Sequence, residues 1–257
     1  MGESETLRES PEGRIEPLSD RLGALFVVLA LAMILVPLAV RGVSAAVPAW
    51  AGSPAFQTAA LLLQQGVLLG LTLWRLRAAG STWTGLRPYV EGAGQFWTAV
   101  GWGLGLLFLN GFCAQLSIAL LQALVGPEGV RTLLEREQSV VARLLDPGAG
   151  PFFLGATVFT AVFLAPIVEE TFFRGYAYAV LKLYAKEHAA WLSALLFAGV
   201  HLYAVNFLPL FVLGYALARM YERTGSLAVT IVAHATVNAA VAVINVLVRS
   251  AAERGTL

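Results

Sequence analysis

The chain has 257 residues, of which 58% are apolar and only 13% charged, and its mean hydropathy is +0.73. Soluble domains carry about a quarter charged residues, so this composition excludes an ordinary water-facing domain. The net charge of +1 gives no electrostatic case for nucleic acid or strongly acidic partners, and the single cysteine, Cys113, excludes an intramolecular disulfide or a cysteine-based zinc cluster.

The first 21 residues set Glu3, Glu5, Glu9, Glu12, Glu16 and Asp20 against Arg8, Arg14 and Arg21. That is an acidic polar tail rather than the basic start of a cleavable signal, and it is expected to be disordered and cytoplasmic. About 20 apolar residues cross the hydrocarbon core as a helix. Residues 22–40 and 56–74 meet this length and are bounded by arginines. Residues 79–91 read as a connector. Residues 92–127 carry no charge and predict a tilted third span within 97–125, with Cys113 as a small packed side chain. Residues 128–146 mix charges with leucine and valine and read as an amphipathic surface helix.

Residues 152–168 form the fourth expected span, with Pro166 as a kink and a helical pattern running on through Tyr184. Residues 189–205, 208–221 and 227–248 are the fifth, sixth and seventh, and 172–184 is the place for an eighth element. The expectation is an all-α, polytopic transmembrane bundle of about seven to eight spanning helices. Residues 22–150 would hold the N-terminal helices and the surface helix, and 151–250 the core that carries the motifs below. With the N-terminus inside, most arginines and lysines fall in cytoplasmic loops.

Ionisable side chains inside spanning helices cost about 2.5–3.5 kcal/mol each at the helix centre and tend to be functional. Three motifs carry them. In Glu169-Glu170-Thr171-Phe172-Phe173-Arg174, Glu170 and Arg174 lie four apart and share a face. Glu169 is turned about 100° away and is expected to face a cavity. In Phe197-Ala198-Gly199-Val200-His201, the small residues allow close helix approach and aim His201 into the bundle. In the third, His234 and Asn238 share one face. Each has a plain structural reading: a membrane-border ion pair, a histidine bonded to a backbone carbonyl, and a helix–helix clasp. Together, Glu, two His and Asn suit water activation, with the carboxylate as base and imidazole and amide as oxyanion donors. Glu with two His also suits zinc with an open position for water.

In this order, the three motifs resemble those of the CPBP family of intramembrane proteases. It is also called the CAAX-protease and bacteriocin-processing, or Abi, family, and includes the Rce1-type prenyl-protein endopeptidases. EExxxR is matched by Glu169, Glu170 and Arg174, FxxxH by Phe197 and His201, and HxxxN by His234 and Asn238. The resemblance covers about residues 152–248. It implies that Glu169 and His201 activate the water, that His234 and Asn238 stabilise the oxyanion, and that Glu170, Arg174 and Phe197 support them. It implies a membrane-anchored or lipidated peptide substrate in a cavity near the cytoplasmic face. It requires no cofactor, although the family also carries a metalloprotease label and zinc stays open. Two competitors remain at this stage: a non-catalytic bacteriocin-immunity or scaffold member, and a proton-coupled transporter, which the lack of an internal repeat disfavours.

Overall fold

The computed structural model describes residues 18–144 and 147–254, and among these there is no strand. The acidic tail lies outside the described residues as far as residue 17. Its expected last residues, 18–21, are already helical, with Asp20 in the first turn, where a negative charge suits the helix dipole.

The first rod joins α1 (Leu18–Ala30), a π segment (Leu31–Leu35) and α2 (Val36–Ala46). The single turn α3 (Pro48–Ala51) leads to α4 (Pro54–Ala78), capped by Ser53 and ending in Arg75 and Arg77. The next rod, α5 (Ala93–Leu144), bends at Gly126, whose φ of 75° is left-handed, just before Pro127. The segment after the bend is helical, where the sequence predicts an amphipathic surface helix. It does not lie wholly on the surface, because Glu137 within it is buried.

The fourth rod is unbroken from 151 to 185. It runs through α6 (Pro151–Phe159), a π segment (Thr160–Leu164), α7 (Ala165–Glu170), a second π segment (Thr171–Ala177) and α8 (Tyr178–Ala185). Residues 172–184 are therefore its continuation and not an eighth helix. Pro166 does not break it: the preceding turn widens, and the Ala165 N–H bonds back to the Thr160 carbonyl, five residues earlier. The same device precedes Pro37, where the Val36 N–H bonds to Leu31.

A 3-10 turn (Lys186–His188) reverses the chain into α9 (Ala189–His201), followed by α10 (Phe207–Thr224) and α11 (Leu227–Glu253). The described residues thus form seven long rods. Five stretches are long and apolar enough to cross a membrane, fewer than the seven to eight expected from sequence. The stretch Pro151–His201 folds back on itself and holds two of the rods. Helix α10 carries Arg219, Glu222 and Arg223 in its last turns, so it does not read as a plain apolar span.

Bare apolar side chains coat the outside, among them Phe108, Phe112 and Leu124. An apolar exterior of this extent is a lipid-facing surface. The core gathers where α7 and its π segment meet α9, α10 and α11, around Val168, Phe172, Phe173, Phe197, Leu217 and Ala233. Two close approaches set this packing. A Cβ on Gly214 of α10 would lie 3.2 Å from the Ala194 Cα of α9 and 3.0 Å from Phe197 Cδ1. A Cβ on Gly103 of α5 would lie 2.6 Å from the Ala233 carbonyl of α11. Gly199 was expected to supply such an approach, but it faces open space. The α9–α10 contact lies one helical face away, at Ala194, Phe197 and Gly214.

Candidate active site

The site is built from α7 with the π segment that follows it, α9 and α11. Glu170 and Arg174 are fully buried, and Arg174 Nη1 donates to Glu170 Oε1 at 2.8 Å. The i, i+4 spacing makes that pair, as the sequence indicates. Arg174 Nη2 reaches across to the Gly214 carbonyl at 2.8 Å. Its guanidinium also lies 5.0 Å from the centre of the Phe197 ring, within cation–π range. One arginine therefore ties the fourth rod to α10 and α9.

His234 of α11 completes the buried group. Its Nδ1 lies 2.9 Å from Glu170 Oε1. An ionised carboxylate has no proton to give, so Nδ1 is the donor. The ring is then fixed, and Nε2 faces Glu169 Oε2 at 3.9 Å. That separation is beyond a direct hydrogen bond. The two glutamates thus do not point to unrelated places, as the 100° between them suggested. They address opposite nitrogens of one imidazole, because side chains this long converge on a ring lying across the helix. Glu169 keeps 16% of its side chain exposed, whereas Glu170 keeps none.

His201 ends α9 and is half-buried. Its Nδ1 donates to the Phe197 carbonyl at 2.6 Å, which leaves Nε2 as the free acceptor. This is the carbonyl-bonded histidine of the plain reading, and it also defines the tautomer. The Phe197 ring contacts both imidazoles, at 5.0 Å from His201 and 5.8 Å from His234. Among the described residues no hydrogen bond or ion pair joins His201 to Glu169 directly. His201 opens instead on a cavity of about 200 Å³ lined by Leu133, Arg136, Glu137, Leu202, Tyr203 and Ala204. The Tyr203 phenol there is pushed above its ordinary range by burial and by the charge of Glu137.

Asn238 lies one turn beyond His234, and its Nδ2 donates to the Ala161 carbonyl at 2.9 Å. The π segment explains that acceptor. Ala165 has turned its N–H to Thr160, and the next N–H in the widened pattern would come from Pro166, which has none. Ala161 is left with a carbonyl that needs a donor in an apolar medium, and Asn238 supplies it. One N–H of the amide remains.

Sequence reasoning missed three partners: the Gly214 carbonyl, the Ala161 carbonyl and Glu137. The last carried a signal. Val130, Leu133 and Glu137 fall on one helical face, so a carboxylate occupies the next position of an apolar stripe.

Glu with two His would be a chemically suitable donor set for zinc. Among the described residues, however, no three His, Cys, Asp or Glu side chains converge to hold a metal ion. Glu170 and His234 Nδ1 are engaged with each other and with Arg174. The arrangement does not fit a three-ligand site.

Fold and site together define a polytopic helical membrane protein with a charged, buried cluster in its core. Residues 151–240, the segment that holds all three motifs, match the family model described as type II CAAX prenyl endopeptidase Rce1-like, a family of proteases. No curated protein and no solved structure matches the chain.

Proposed function

We propose that this protein is an intramembrane endopeptidase that hydrolyses a peptide bond near a membrane-associated or lipidated end of its substrate, using water activated by Glu169. The observation that carries this reading is the unequal pair of carboxylates. Glu170 is sealed against Arg174 and fixes His234, whereas Glu169 stays partly open beside the ring's other nitrogen.

In this mechanism Glu169 takes a proton from water as the water oxygen attacks the peptide carbonyl carbon. The oxyanion is held by donors on α11, His234 Nε2 when protonated and the remaining N–H of Asn238. The C–N bond then breaks as Glu169 hands the proton it took to the leaving nitrogen, with His201 Nε2 as the second base toward the water. No step needs a metal. The arginine pattern supports a cytoplasmic N-terminus and a site near the cytoplasmic face of the cell membrane.

The test compares membrane peptide profiles of wild-type and Glu169→Ala cells, with and without a zinc chelator. A precursor that accumulates only in the mutant, and is still processed by wild type under chelation, is the expected result. No accumulating precursor would remove the protease reading. An intact phenotype in both Glu169→Ala and His201→Ala would favour a non-catalytic immunity or scaffold role. Chelator sensitivity would bring zinc back.

A further inference from the structure

Glu137 sits on the second half of α5, far in sequence from the three motifs, and is 6% exposed. Its carboxylate accepts four hydrogen bonds from one short stretch of chain. Oε1 takes the N–H groups of Ala204 at 2.6 Å and Val205 at 2.8 Å. Oε2 takes the Asn206 N–H at 3.1 Å and the Asn206 side-chain Nδ2 at 2.7 Å. These donors lie just ahead of α10, so the charge also faces the positive end of an 18-residue helix. A carboxylate so fully satisfied is a rigid clamp, since hydrogen bonds to a charged group are stronger than those between neutral groups.

What it clamps begins at His201. The next residue, Leu202, ends α9 in the left-handed region, at φ 55° and ψ 31°, and is 84% exposed. A leucine rarely adopts that conformation without being held there, because its Cβ crowds the backbone. Its own side chain makes little contact that would hold it. Two to four residues further on, all three backbone N–H groups of 204–206 are fixed by one carboxylate. Glu137 and His201 line the same small cavity.

We propose that Glu137 is a positioning residue for His201. By gripping residues 204–206 it holds the left-handed turn at Leu202 and so sets where the imidazole stands at the end of α9. The proposal rests on the protease reading for what His201 does, but not for the positioning itself.

The full-length protein in lipid nanodiscs, labelled with ¹⁵N-histidine, tests this. The chain has three histidines, so three imidazoles are followed, assigned with His201→Gln and His234→Gln. Glu137→Gln keeps the side-chain size but puts an amide N–H against the Asn206 donors. It is expected to shift the His201 ring nitrogens and leave those of His234 in place. Combining it with Asn206→Asp restores the charge and one hydrogen bond in the reverse sense, and is expected to return His201 towards its wild-type position. Asn206→Ala removes one donor of four, folds most readily, and is expected to move His201 the same way by less. His201 signals that stay put in all three variants would overturn the proposal. So would equal displacement of His201 and His234, which marks a merely structural role. In cells, turnover of the precursor that accumulates in Glu169→Ala is expected to fall about ten- to a hundredfold in Glu137→Gln, and to recover with Asn206→Asp. If Glu169→Ala accumulates no precursor, the protease reading fails, while the imidazole signals still decide the role of Glu137.

Discussion

Glu170 and His234 are joined by a buried hydrogen bond of 2.9 Å, and the same carboxylate oxygen is held by Arg174 at 2.8 Å. That shared oxygen separates two glutamates that are neighbours in sequence. Substituting each by glutamine is expected to give opposite profiles. Glu169→Gln removes the proposed base from a partly open position, so activity is expected to fall about a hundred- to ten-thousand-fold with the thermal midpoint nearly unchanged. Glu170→Gln leaves Arg174 buried without its counter-charge, so the thermal midpoint is expected to drop. Thermal unfolding in nanodiscs, read beside precursor turnover, checks both. Equal loss of stability in the two variants would refute the division of roles.

The Glu170–Arg174 pair is fully buried, and removing one partner of such a pair costs about 3–5 kcal/mol because the other charge is left uncompensated. Glu170→Leu and Arg174→Leu are each expected to destabilise by about that amount. The double variant is expected to cost much less than their sum. Arg174→Lys is expected to be poorly tolerated as well, because a single ammonium cannot reach both Glu170 and the Gly214 carbonyl in the guanidinium's fork geometry. A double-mutant cycle on unfolding free energies measures the coupling. Strict additivity would show that the pair is not a unit.

Pro166 and Asn238 are expected to behave as a linked pair although they do not bond to each other. Asn238→Ala leaves the Ala161 carbonyl without its donor, a loss of about 1–3 kcal/mol for a buried group. Pro166→Ala returns a backbone N–H to that stretch of helix. The double variant is therefore expected to regain part of the stability that Asn238→Ala loses, but not any oxyanion stabilisation that Asn238 gives to the reaction. Recovery of stability without recovery of turnover would identify both roles of the amide. If Pro166→Ala gives no relief, the carbonyl account of Asn238 is wrong.

The bundle, and the charged residues Glu170, Arg174 and His234 that meet in its core, were legible in the sequence because apolar length and costly charges are local signals. The i, i+4 partnership of Glu170 with Arg174 follows from helix geometry alone. The convergence of Glu169 and Glu170 on His234 does not, since it depends on how α11 lies across the fourth rod. The described residues form seven rods, with no eighth at 172–184, because that stretch continues a helix through a π segment that no spacing rule marks. Glu137 falls in the stretch 128–146 that reads as an amphipathic surface helix, because charge predicts exposure. Its burial is set by a loop more than 60 residues away, which supplies four donors to it.

Two glycines that look alike in sequence are expected to respond oppositely to alanine. Gly199, in the second motif, has nothing within 4 Å of an added Cβ. Gly199→Ala is thus expected to be neutral or to stabilise α9 by about 0.5–1 kcal/mol through reduced backbone entropy. At Gly214 the added Cβ meets the Ala194 Cα and the Phe197 ring. The backbone of α9 cannot yield locally, so Gly214→Ala is expected to cost about 1–3 kcal/mol by overpacking. It is also expected to disturb the site, because pushing α10 from α9 draws the Gly214 carbonyl away from Arg174 and shifts Phe197 against both imidazoles. Thermal unfolding with ¹⁵N-histidine spectra of the two variants compares them directly. A Gly214→Ala protein as stable as wild type, with both imidazole signals unmoved, would mean that the α9–α10 contact does not hold the site together.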